Sequence, residues 1–137
     1  MKERHAARAA ALQTLYLCEV GRTSPEAALE TFFAEHEPEA EPATRDFAAA
    51  LVLGAHEAQA DLDALIAAHS ANWRVKRLAV IDRIILRLGA WELQHQPDTP
   101  DAVVLDEAIE LARAFGTDES PKFVNGVLDA IRRKLGN

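Results

Sequence analysis

Few side chains in this sequence stand at spacings that could do chemistry, and each has a plainer use to be weighed against. Glu92 and His95 make an E-x-x-H pair, half of the pattern that a di-metal helical bundle repeats on a facing helix, and no second copy accompanies it. His56-Glu57 opens as a zinc-protease helix does, but the position for the second histidine is Ala60, so a ligand is lacking. Cys18 is the only cysteine, which excludes an internal disulfide, and its neighbours Leu15, Leu17 and Val20 supply no base to make a thiolate. Asp106, Glu107 and Glu110 crowd carboxylates into the first half of a helix, where the helix dipole favours negative charge without any catalytic demand. With no glycine-rich phosphate loop and no serine elbow, the expectation is a protein that is not an enzyme and holds neither metal nor cofactor.

Binding chemistry is better represented. Arg4 and Arg8 lie one helical turn apart, a spacing that grips phosphates or simply faces water. Lys122 and Phe123 place a cation and an aromatic ring together at the start of the last helix, a pairing that can hold a phosphate and stack a base. The net charge of -7 alone argues against a nucleic-acid partner, yet the charges are segregated. Residues 22 to 63 carry ten acids against Arg22 and Arg45, whereas residues 74 to 87 carry Arg74, Lys76, Arg77, Arg83 and Arg87 against Asp82. Lys2, Arg4 and Arg8 at one end, and Lys122, Arg132, Arg133 and Lys134 at the other, allow a basic surface on an acidic protein.

Helices must position these groups. Residues 3 to 20 have no Gly or Pro and favour a helix, with Gly21 suited to cap it. Ser24-Pro25-Glu26 combines a side-chain cap, a ring-fixed first position and an acid at the positive end of the dipole, and the helix it starts buries Ala28, Leu29, Phe32 and Phe33. The acidic, twice proline-interrupted stretch from His36 to Pro42 reads as a loop, after which Thr44 can cap a helical pattern. Phe47, Leu51, Gly54, Ala55 and Ala58, then Leu62, Leu65, Ile66 and His69, keep that pattern in one helix or two.

Ile81, Ile84, Ile85 and Leu88 form a buried stripe, leaving Asp82, Arg83 and Arg87 on a polar back. Asp98-Thr99-Pro100-Asp101 starts a helix on which Val104, Ala108, Leu111 and Phe115 share a face until Gly116. The Asn125-Gly126 pair could turn a hairpin, but Val124, Val127, Leu128, Ile131 and Leu135 keep helical spacing through it, and no other segment offers strands. The prediction is an all-α fold of six to seven helices without a sheet, residues 1–137 forming one domain. Gly126 then sits inside a helix, at a cost of about 1 kcal/mol relative to alanine, and calls for a close backbone approach or a packing need. No apolar run nears the roughly 20 residues of a membrane span, no signal peptide is evident, and the single cysteine suits a reducing cytoplasm.

The run from Glu107 to Gly116, then Ser120, then Lys122-Phe-Val-Asn-Gly-Val-Leu-Asp129 resembles the C-terminal signature of the NusB family. Asn72-Trp73, Arg77, Ile81-Asp82-Arg83, Leu86-Arg87 and Glu92-Leu93 are similar to its middle, and Arg4, Arg8, Ala11 and Leu15-Tyr16 to its first helix. The resemblance implies two small helical sub-bundles and a non-catalytic transcription antitermination factor. Such a factor binds single-stranded boxA RNA of nascent ribosomal transcripts together with NusE, a ribosomal protein of the small subunit, and works with other Nus factors and RNA polymerase. By the same resemblance RNA would meet Arg4, His5, Arg8, Lys122, Phe123 and Asn125, and the protein partner Tyr16 and Asp82. A homodimer that masks the basic helix stays open. A related fold serves as the RNA-binding appendage of a cytosine methyltransferase, but 137 residues leave no room for its cofactor domain.

Overall fold

Local capping chemistry and tertiary packing together set where each helix begins and ends. The structure is a computed structural model and describes residues 2–70 and 78–136. Among the described residues there are seven helices and no strand. They sort into two compact units, residues 1–57 and 58–137. The first holds α1 (Lys2–Gly21), α2 (Pro25–His36) and α3 (Pro42–Glu57). The second holds α4 (Gln59–His69), α5 (Val80–His95), α6 (Asp101–Phe115) and α7 (Ser120–Lys134). The stretch from 44 to 70 is therefore two helices, broken at Ala58 (φ -91°, ψ 12°), and the break coincides with the boundary between units. Asn125-Gly126 lies inside α7, so the helical reading of that segment holds over the hairpin.

Several starts and stops differ from the sequence reading. Ser24 caps α2 as its chemistry requires, its Oγ accepting from the Ala27 N–H at 3.1 Å. Thr44, by contrast, is buried inside the first turn of α3, which Pro42 opens. Pro100 occupies the cap position of α6, and Thr99 is buried just ahead of it. At the end of α1 the left-handed residue is Arg22 (φ 55°) rather than Gly21, which remains helical.

In the first unit Ala7 and Ala10 of α1, Phe32 and Phe33 of α2 and Ala48 of α3 form one buried cluster, with Leu29, Ala40 and Phe47 against it. Short side chains on α1 and α3 let those helices approach closely, and the two phenylalanine rings meet edge to face, centroids 5.5 Å apart. Arg45 fastens the acidic loop: its guanidinium donates to the carbonyls of Glu37, Pro38 and Ala40 and lies 5.1 Å from the Phe33 ring centre.

In the second unit α5 is the central element and packs against α4, α6 and α7. Every residue from Ile84 to Ala90 is buried, including Arg87, which is only 8% exposed. The polar back expected for this helix is thus interrupted. Arg87 donates Nε–H to Asp63 Oδ1 at 2.7 Å and Nη2–H to Oδ2 at 2.9 Å, a bidentate pair that ties α5 to α4. Phe115, expected to share the buried face of α6, is instead 38% exposed at the end of that helix. On α5, Gly89 faces Leu128 of α7 so closely that an added Cβ would fall 2.7 Å from its Cδ1.

Because Leu128 is fully buried it has little space to move aside. Gly89→Ala should lower stability by about 1–2 kcal/mol after its gain in helix propensity, read as a lower urea midpoint; an unchanged midpoint would show that Leu128 can shift freely. Arg22→Gly should stabilise by about 0.5–1 kcal/mol by relieving the left-handed strain, and a lower thermal midpoint would mean the arginine side chain contributes more than its backbone costs.

Candidate nucleic-acid and partner surfaces

On α1 the basic residues are not a simple solvated stripe. Arg4 is half-buried, with its guanidinium carbon 4.6 Å from the centre of the Phe47 ring of α3. His5 is exposed beside it. Arg8 departs from the expectation of an outward phosphate ligand: it is 3% exposed and lies 5.4 Å from the same ring. The physical reason is register, since Arg8, Ala11, Leu12 and Leu15 follow the i, i+3, i+4, i+7 rule and all are buried. Both guanidinium groups are thus within reach of the Phe47 ring quadrupole, which helps to hold the outer arginine.

The orientation of α7 follows from what it buries. Ser120, Val124, Val127, Leu128 and Ile131 face inward. The turn that feeds this helix is tight. Ser120 Oγ accepts from the Thr117 N–H at 2.9 Å, and a Cβ on Gly116 would lie 2.5 Å from that Oγ. Lys122, Asn125, Gly126 and Arg133 are consequently exposed, with Phe123 half-buried at their flank. Farther along, Asp129 receives Arg132 Nη2–H and Arg133 Nη2–H, each at 2.7 Å. The hydrogen bond from Arg132, helped by the charge of Arg133, holds the Asp129 carboxyl below its usual range. Four bases against one acid leave α7 with a net charge of +3 in a chain of -7.

Lys122, Phe123 and Asn125 are therefore gathered on one helix of the second unit, while Arg4, His5 and Arg8 are gathered on one helix of the first. Of the middle basic segment, Arg74, Lys76 and Arg77 lie outside the described residues, as do Asn72 and Trp73. Arg87 is committed to Asp63.

Tyr16, 41% exposed, has company that the sequence reading missed: Leu17 and Val20, 37% and 60% exposed, stand beside it on α1. Cys18, between them in sequence, points in instead, its Sγ–H donating to the Thr23 carbonyl at 2.9 Å. Burial raises the pKa of that thiol, and the nearby Glu26 and Glu19 raise it further. Helical phase carries the signal, because 16, 17 and 20 lie away from 8, 11, 15 and 18.

Asp82 sits in the first turn of α5, where the dipole favours it. One of its carboxylate oxygens is buried without a hydrogen-bond partner among the described residues. The E-x-x-H pair is divided: Glu92 is buried, and exposed His95 stacks on Trp91 with centroids 4.9 Å apart. Among the described residues no three His, Cys, Asp or Glu side chains group as metal ligands, and no helix is long and apolar enough to cross a membrane.

Known proteins give this arrangement a family. A transcription antitermination protein NusB from Sorangium cellulosum is 46% identical over 136 residues, 99% of this chain and 96% of its own length. One from Bacillus pumilus is 44% identical, with 97% of each chain covered. Among solved structures, T. maritima NusB superposes with a TM-score of 0.89 at 35% identity, covering 96% of this chain and 91% of that one. A crystal structure of the antitermination factors NusB and NusE in complex with dsRNA matches with a TM-score of 0.89 at 27% identity, 98% of each chain covered. Residues 5–133 match the NusB family as a whole, and the chain belongs to that family.

Proposed function

We propose that this chain is a non-catalytic transcription antitermination factor that binds boxA RNA of nascent ribosomal transcripts jointly with NusE. The observation that carries the reading is the outward, positively charged face of α7, with Lys122 and Asn125 exposed and Phe123 at its flank, in a member of this family. Lys122 suits a phosphate, the Asn125 amide a base edge and the Phe123 ring a stacked base. On α1, Arg4 and His5 meet the RNA, while buried Arg8 holds Phe47 and so positions Arg4. Residues 1–137 serve as one RNA-binding domain in the cytoplasm, working with other Nus factors and RNA polymerase.

NusE binding falls to Tyr16 and Asp82. The exposed apolar group of Tyr16, Leu17 and Val20 offers the aromatic and aliphatic area that protein interfaces bury. Asp82 Oδ1 has no hydrogen-bond partner among the described residues but is itself buried, so the rest of this half-buried carboxylate is what would face the partner. That the related crystal structure is of NusB with NusE and dsRNA supports NusE and RNA as the partners.

Fluorescence anisotropy of a boxA-like RNA and a scrambled control, each with and without NusE, tests the reading. Tighter binding of boxA, strengthened by NusE, is the expected result; equal weak binding to both RNAs would replace it with a protein-interaction module. With three or four phosphate contacts on a single strand, raising salt from 50 to 200 mM should weaken RNA binding roughly 20- to 50-fold. Arg4→Ala and Lys122→Ala should each flatten the log–log salt slope by about 0.7, and a slope untouched by both would remove these residues from the interface. Tyr16→Ala should weaken NusE binding roughly tenfold or more while leaving the affinity for RNA alone unchanged. Loss of both together would indicate misfolding instead.

A further inference from the structure

Three glycines stand where the local geometry or sequence asks for an explanation, and the fold explains two. A Cβ at Gly89 would fall 2.7 Å from Leu128, and one at Gly116 would fall 2.5 Å from Ser120 Oγ and 2.8 Å from the Ala112 carbonyl oxygen. Gly126 is different. It lies in the interior of α7, where glycine costs about 1 kcal/mol relative to alanine, yet a Cβ there meets no described atom within 4 Å. The residue is exposed, so neither tight packing nor an unusual backbone angle accounts for it. The close approach that an internal glycine implies is therefore not made by the described residues.

Its surroundings say what could make that approach. Lys122 precedes Gly126 by one turn on the same face, Phe123 lies between them at the flank, and Asn125 adjoins it. The acid one turn onward, Asp129, is engaged by Arg132 and Arg133, so this face does not present an uncompensated negative charge to a phosphate. An exposed lysine, a side-chain amide and a ring at the edge, on a helix whose net charge is +3, fit a nucleotide better than an acidic protein segment, for which the amide and ring would have no particular use.

From this we infer that Gly126 is the seat of one nucleotide: the bare helix backbone takes a ribose or base face in van der Waals contact, Lys122 holds the adjoining phosphate and the Asn125 amide reads the base edge. The missing side chain is then a feature of the RNA site that is kept at the expense of helix stability. The inference rests on the RNA-binding reading above and adds a position to it that carries no functional group of its own.

Gly126→Ala and Gly126→Leu test it, with thermal midpoints and boxA-RNA anisotropy, with and without NusE, measured on the full chain. Alanine should raise the midpoint by roughly 3–6 °C through helix propensity. RNA affinity should nevertheless fall, roughly three- to tenfold for alanine and further for leucine, opposite in direction to stability. An alanine variant that is more stable and binds RNA as well as the unaltered chain overturns the inference, provided that Lys122→Ala still weakens binding. If the unaltered chain shows no preference for boxA RNA, the functional reading itself fails and the seat with it. A parallel loss of stability and affinity in both variants would show a packing role and also overturn it.

Discussion

The close approach of α5 and α7 in the second unit is the constraint on which its functional face depends. Gly89 lets Leu128 lie directly against the α5 backbone, and a helix held at that point has little freedom to roll about its axis. Val124, Val127 and Ile131 then follow Leu128 into the core, and the opposite side of α7 must be the one that carries Lys122, Asn125 and Gly126. The turn at Gly116 and Ser120 sets where that helix begins. One absent methyl group on α5 thus decides which chemistry α7 presents to solvent.

Charge in this protein is sorted by burial and pairing more than by number. An excess of acids gives a net of -7, but arginines are drawn into structural tasks that composition does not reveal. Arg87 fills its guanidinium with Asp63, Arg45 holds the carbonyls of the acidic loop, and Arg8 is buried over Phe47. In the Arg87–Asp63 pair the arginine is the buried partner, so removing Asp63 leaves a buried charge uncompensated and costs more than losing a surface pair. The cations that α7 carries outward therefore matter more than a count suggests. Asp129 is the one acid on that helix, and its engagement by two arginines keeps the face basic.

How legible this was in the sequence varies from residue to residue. The Ser24 cap, the loop around Pro38 and the helical spacing through Asn125-Gly126 rest on local chemistry and carry over directly into the structure. Thr44 and Thr99 have cap chemistry too, but each is buried, and the helix starts are shifted by proline. Arg22 takes the left-handed position suited to Gly21, which stays helical, so α1 ends one residue later than its cap chemistry implies. Phe115 has the right spacing for the core and is exposed because α6 ends there. Among the expected RNA ligands, Lys122 and Asn125 are outward, whereas Arg8 has the register of a core position and is buried despite its charge.

The amino-acid sequence by itself determined the all-α class, a count of six to seven helices, the family resemblance and the basic character of the chain's two ends. These depend on periodicity and residue type, which act over one or two turns. Tertiary structure alone decided that the helices divide into two units at Ala58, that Arg87 pairs with Asp63, that Leu17 and Val20 stand exposed beside Tyr16, and that Gly126 has open space above it. Each of these depends on which residues distant in sequence meet, or fail to meet, once the apolar faces have been buried, and spacing along the chain carries no record of the partner.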